Sequence, residues 1–154
     1  MSSDSVNEDE ALAVLNDDES IPAWVFDRET LAFLEVNRAA VEFYGYSRTE
    51  FLMRTVLDIR PLEDVVRLVR AIFPSIRGLT VTNQQWRHQK KNGTVFPVLV
   101  NSYSTIFRGR TAQLVVARPL AGAENGPPGE VLASPGSFGF RNSFLSRIKQ
   151  AFAH

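Results

Sequence analysis

The sequence predicts an α+β fold: a five-stranded antiparallel sheet with short helices and one longer helix packed on one face. Three observations predict it. Two strand-like runs between Thr80 and Phe107 flank Lys90-Lys91-Asn92-Gly93, and Asn-Gly between such runs is the strongest short-range hairpin signal, here read as a type I′ turn. A third run, Thr111–Arg118, follows a turn at Arg108-Gly109-Arg110, so the three strands form a meander that must bury one face. Ahead of the meander come a shorter hairpin, three short helical pieces and one longer helix, which supply the covering layer.

Taken in order, residues 1–20 hold seven acidic residues and no basic one. Val6, Ala11, Leu12, Val14 and Leu15 give this leader one apolar side. It reads either as a solvated leader or as a flanking helix docked on the sheet or on a second copy. Ile21-Pro22 breaks it. Trp24–Asp27 and Ala32–Val36 read as strands around the turn Arg28-Glu29-Thr30. Asn37 is an N-cap for a helix through Tyr44, ended by Gly45. Ser47-Arg48-Thr49-Glu50 is a capping box opening a helical turn, and Thr55–Arg60 is a short segment stopped by Pro61. The longest helix runs from Leu62 to about Phe73, with Leu62, Val65, Val66, Leu68, Val69 and Ile72 at helical spacing. After the domain, 121–139 is a Pro/Gly-rich linker. Residues 140–154 form a short basic amphipathic helix, with Phe140, Phe144, Ile148 and Phe152 every four residues beside Arg141, Arg147 and Lys149.

Composition narrows the function. Lys+Arg and Asp+Glu are 17 each, which gives no reason to expect nucleic acid as a partner. The chain has no cysteine, which removes disulfides, thiolate metal ligands, thiol nucleophiles and cysteinyl adducts. No apolar run approaches the roughly 18 residues of a membrane span, and the acidic N-terminus lacks a signal-peptide apolar region. The expected location is the cytoplasm. No acid–base pair, nucleophile or His/carboxylate cluster with metal spacing stands out, so an enzyme is not expected.

The order and spacing of these pieces resemble a PAS domain of the bacterial sensory type, over about residues 20–120. The matching stretches are Pro22–Asp27, Leu34–Ala40, Tyr44-Gly45-Tyr46-Ser47 with Glu50-Phe51-Leu52, Asp58-Ile59-Arg60-Pro61 with Glu63-Asp64, and Trp86-Arg87-His88 through Lys91-Asn92-Gly93-Thr94. The resemblance implies a sensory and signal-transduction module acting by protein–protein interaction. It implies homodimerisation, with the leader helix and the outer sheet face at the interface, and docking on a separate signalling protein. No kinase, cyclase or DNA-binding domain follows, so the chain either acts on a separate partner or is a fragment. The opposite charges of leader and C-terminal segment would support contact in cis or across a dimer. The basic helix is too weakly charged for strong membrane-surface anchoring.

The resemblance also places a small-molecule pocket between sheet and helices, which is the alternative function: a ligand or flavin sensor. The flavin-adduct subfamily needs a cysteine, and the haem subfamily takes a proximal histidine from the long helix. This chain has neither; its histidines are His88 and His154. A non-covalent flavin remains open. The residue five before the turn glycine points inward in the family, which here is His88, joined by Trp86. With Phe96, Val98 and Val100 facing the helices, the expected lining is Trp86, His88, Val98, Val100, Ser102, Gln113 and Tyr44. Ser104 is a further polar candidate, and Val115 and Ala117 point in from the last strand. Trp86 reads first as a core or dimer-face aromatic and second as a stacking surface. Tyr44 reads as core with its hydroxyl bonded. Arg60 reads as a surface or local ion-pair residue ahead of an anion contact.

Overall fold

The structure is a computed structural model, and it describes residues 5–17, 21–72, 81–121 and 130–131. The amphipathic segment expected over 140–154, most of the expected linker and the entry to the meander lie outside the described residues. The elements run β1 (Ser5–Val6), α1 (Glu8–Leu15), β2 (Ala23–Asp27), β3 (Phe33–Val36), α2 (Arg38–Tyr44), α3 (Arg48–Leu52), α4 (Val65–Ile72), β4 (Val81–Gln89), β5 (Val95–Phe107), β6 (Arg110–Ala121) and β7 (Glu130–Val131), with 3₁₀ turns at Val56–Ile59 and Leu62–Asp64. The five expected strands lie in the order β4-β5-β6-β2-β3, antiparallel throughout. The first hairpin joins the last strand, as expected. Two-residue strands extend this sheet: β1 runs parallel beside Ser104–Thr105 of β5, and β7 pairs with the end of β6. A strand of two residues has no periodicity to read. The last strand also continues past Arg118 to Ala121; Pro119 lies opposite Val98.

The turns correct one expectation. The type I′ turn expected at Asn92-Gly93 is absent. Gly93 is left-handed, with φ of 94°, while Asn92 is not. The Gly93 amide donates to the Lys90 carbonyl and the Lys90 amide to the Thr94 carbonyl, both at 2.9 Å. This is a three-residue loop with glycine at the left-handed position. It pairs His88 with Phe96 and Trp86 with Val98. A two-residue loop would pair Gln89 with Phe96 and turn the strand's faces over. The two-residue turn with both φ positive occurs instead at Arg108-Gly109, with φ of 51° and 78°, closed by the pair Phe107–Arg110.

Each sheet face has its own core. Inside, Trp24, Phe33, Val36, Trp86, Phe96, Val98, Val100, Val115 and Ala117 pack with Ala40 and Tyr44 of α2, Phe51 of α3, and Val56 and Ile59 of the first 3₁₀ turn. Outside, Ala11, Val14 and Leu15 of α1 cover Val25, Tyr103, Phe107, Leu114 and Val116. The leader therefore docks on its own sheet. A capping box of Asn7 and Glu10 starts its helix. Tyr103 and Asn101, on the outer sheet face expected at the dimer interface, are buried.

Asn37 ties this architecture together. Its side-chain oxygen accepts from the amides of Ala40 and Ala23, at 2.9 and 3.0 Å, and its amide donates to the Ile21 carbonyl at 2.9 Å. One buried side chain thus caps α2 and closes the entry to β2. Asn37→Ala is expected to lower stability by about 2–3 kcal/mol, a lost cap plus unpaired buried groups. Urea denaturation checks this, and a loss below about 1 kcal/mol contradicts it.

The longest helix departs from its expected packing. Residues 62–64 form a 3₁₀ turn before α4 begins, so the apolar stripe does not extend in one phase from Leu62. Leu62 is 84% exposed and Val66 58%. Ion pairs hold this end of the helix instead: Arg87 on β4 reaches Asp64 at 2.8 Å and Glu63 at 3.1 Å.

Candidate functional site

The inner face gathers polar groups that the core around them does not satisfy. His88 is fully buried, and its Nδ1 lies 2.6 Å from the Tyr44 hydroxyl. The Asn37 cap and Gly45, left-handed with φ of 90°, fix the ends of α2 and so place Tyr44 over the sheet. With the hydroxyl donating to Nδ1, no hydroxyl hydrogen is left unpaired, and the ring hydrogen sits on Nε2. Burial pushes the His88 pKa well below the usual imidazole value, and the nearby Arg60 charge pushes it the same way. His88 is therefore a neutral donor through Nε2, and that Nε2 has no partner.

Two further groups share this condition. The Trp24 indole Nε1 is buried and unpartnered. Trp24 stands on β2, with β6 and β5 between it and β4. In a flat sheet these strands would be about 14 Å apart, yet the Trp24 and His88 rings lie 5.8 Å apart. The curl of the sheet and two large side chains close the distance. Arg60 is only 8% exposed, and its Nε and Nη1 are buried without a partner. Its guanidinium carbon lies 5.4 Å from the centre of the Trp86 ring. Desolvation pushes its pKa down to about 10, against the opposing pull of Tyr44 and Asp64. The surface or ion-pair position expected for Arg60 is thus corrected. Pro61 imposes an extended backbone on the preceding residue, with φ and ψ of −130° and 150°, and the side chain turns inward beneath the 3₁₀ turn.

Of the expected lining residues, Tyr44 and His88 come together with Trp24 and Phe96 in one aromatic cluster of tilted and edge-to-face rings. Trp86 lies farther along β4, between Arg60 and Arg67, whose guanidinium carbon is 4.2 Å from its ring. Val98 and Val100 line the same core. Ser102 and Gln113 bond one another: the Gln113 amide donates to the Ser102 hydroxyl at 3.1 Å, and Ser104 lies 3.3 Å from the other end of Gln113. Sequence reasoning missed Trp24. The alternation of β2 placed it on the inner face, but an indole there looks like any core aromatic until its N–H is found unpaired.

Away from this layer a depression of about 340 Å³ opens between α1 and the start of α2, beside Glu35, Arg38 and Arg48. Its charges are already matched. Glu35 accepts from Arg48 at 2.8 Å and from Arg108 at 3.0 Å, and the Arg48 hydrogen bond leads in holding its pKa low. Among the described residues no cluster of His and carboxylates could hold a metal ion, and no helix is long and apolar enough to cross a membrane.

The family pattern of the PAS domain matches residues 22–118. No protein of curated function matches the chain. Among solved structures, the Rhodobacter sphaeroides LOV protein is 15% identical with a TM-score of 0.64, over 95% of this chain and 92% of that one. A domain of a sensory box sensor histidine kinase/response regulator from Geobacter sulfurreducens is 20% identical with a TM-score of 0.58, over 71% and 92%. A PAS domain from a two-component sensor histidine kinase is 19% identical with a TM-score of 0.56, over 71% and 91%. At such identities the likeness is one of fold.

Proposed function

The chain belongs to the PAS domain family, a family of sensory signal-transduction modules, and we propose that it reads a small ligand on the inner face of its sheet and reports it by protein contact. The observation that carries this reading is the set of orphaned buried atoms: His88 Nε2, Trp24 Nε1 and Arg60 Nε and Nη1. Buried polar groups are nearly always paired, and an unpaired one costs about 1–3 kcal/mol, more when charged. A fold that keeps three such side chains in one layer has a use for them. His88 and Tyr44 are the parts of the expected lining that take part directly; Trp86 supports Arg60 from the other side.

A flavin fits this layer poorly. The Tyr44 ring centre lies 5.4–6.1 Å from those of Phe96, Trp24, His88 and Phe51, so a tricyclic ring would have to displace it. The absorption spectrum and native mass of the purified protein, with a thermal-shift panel, test the reading. The expected result is a colourless protein stabilised by some small solute. No stabilisation by any class of solute, with no small molecule in the native mass, contradicts it; a flavin spectrum overturns only the poor fit of a flavin.

On the output side we propose a homodimer that engages a separate signalling protein. Since α1 uses its apolar side on its own sheet, the surface assigned to the second copy is the exposed apolar stripe of Leu62 and Val66. Sedimentation is expected to give a dimer at tens of micromolar, and a monomer for the double substitution Leu62→Glu, Val66→Glu. A monomeric wild type, or a double variant that still dimerises, contradicts this assignment.

A further inference from the structure

Resting on the ligand-reading function above, we infer that the inner-face ligand is a small organic carboxylate, its head group taken by Arg60, His88 and Trp24 and its body lying among the aromatic rings. The argument starts from the sign of the unpaired groups. A guanidinium and an indole N–H only donate, and His88, with Nδ1 engaged by Tyr44, offers a hydrogen on Nε2. All four orphaned atoms are therefore donors, and what they lack is acceptors. One of them carries a full positive charge. Burying a cation without a partner is strongly unfavourable, and among the described residues no carboxylate forms an ion pair with Arg60. Asp64, the acidic group whose charge acts on it, is already held by Arg87 at 2.8 Å. A carboxylate supplies both the missing negative charge and the acceptors.

The surroundings set the size and the tail. Trp24, Phe96, Val98 and Tyr44 are apolar surface, which suits a short alkyl or aryl body better than a second charged group. Phosphate or sulfate would place all its oxygens in this layer with too few donors to meet them. The four donors are flush with their neighbours and leave no room beside them for a water molecule. A ligand therefore enters only as the side chains of this layer part around the donors.

The test uses the full chain in thermal unfolding at constant ionic strength. One probe series is acetate, butyrate and benzoate; the matched neutral series is acetamide, butyramide and benzamide; inorganic phosphate and riboflavin complete it. The expected result is a saturable rise in Tm of at least about 5 °C with butyrate or benzoate, and none with the amides or phosphate. Arg60→Met keeps the volume, removes the buried charge, and is expected to fold and to lose the carboxylate shift. Trp24→Phe removes one donor and is expected to weaken binding about tenfold; it serves if Arg60→Met fails to fold. Amides that match the carboxylates, phosphate that matches them, or an Arg60→Met protein that still responds to benzoate would each overturn the carboxylate assignment. Stabilisation by riboflavin or amides alone overturns that assignment and leaves a small-molecule sensor standing. No response to any probe, with no small molecule in the native mass, overturns both.

Discussion

Trp24→Ala is expected to lower stability by about 3–5 kcal/mol, the range for truncating a large buried aromatic. Trp24 is almost completely buried, and its ring meets Phe33, Tyr44 and His88 at centroid distances of 5.7–5.8 Å. With Tyr44 and His88 it joins β2, α2 and β4. Small domains have only about 5–15 kcal/mol in total, so the variant is expected to unfold near physiological temperature. Urea titration at 25 °C measures the effect. A loss under about 1 kcal/mol would mean that the inner face repacks freely, and the view of a tightly held aromatic layer would fall with it.

Stability is also expected to fall through His88 as the pH drops below about 6.5. Above pH 6.5 the imidazole is neutral both folded and unfolded, and it contributes no pH dependence. Below that value the unfolded chain takes up a proton at His88. The folded chain does not, because burial and then the Arg60 charge hold its pKa well below 6.5. The unfolded state binds more protons, so acidification favours it by about 1.4 kcal/mol per pH unit until the folded pKa is reached. The carboxylates act lower down. Asp27, Glu35 and Asp64 have folded pKa values below their ordinary 3.8–4.5, so their stabilisation is present above that range and lost below it. Unfolding free energies measured at intervals from pH 7 to 5 should show the slope in the wild type and its absence in His88→Phe. Equal slopes in the two proteins would contradict a buried neutral imidazole.

Local signals carried most of the fold. Asn37 as N-cap, Gly45 as helix stop and the box Ser47-Glu50 all sit where short-range chemistry places them. The five principal strands and the joining of the first hairpin to the last strand were legible for the same reason. What was not legible depended on geometry a few residues deep. At Gly93 a glycine fits both a two-residue and a three-residue loop, and only the amide pairing with Lys90 separates them. The family resemblance nonetheless put His88 on the correct face, where the turn rule applied alone would have turned it outward. Leu62 and Val66 keep helical spacing in sequence, but the 3₁₀ turn before α4 changes the phase and leaves them exposed.

The polar layer was legible only in halves. Its place on the inner face and its members Tyr44 and His88 followed from strand alternation and the family pattern. Arg60 read as a surface or local ion-pair residue from the Asp58-Ile59-Arg60-Pro61 segment of the family resemblance, and Trp24 read only as a strand residue. Neither reading could foresee that their nitrogens would be buried and left without acceptors. That condition depends on a curl that brings β2 and β4 side chains within reach, a property of the whole sheet and not of any window of sequence.

The most direct test of the account follows the two tryptophan indole N–H resonances in ¹⁵N-labelled protein during titration with benzoate, assigned with Trp86→Phe. The unpaired Trp24 N–H is expected to move downfield and gain protection from exchange as it acquires an acceptor, while the Trp86 resonance responds less. Benzoate that binds while the Trp24 resonance stays in place would show that the inner-face donors are not where the ligand is held.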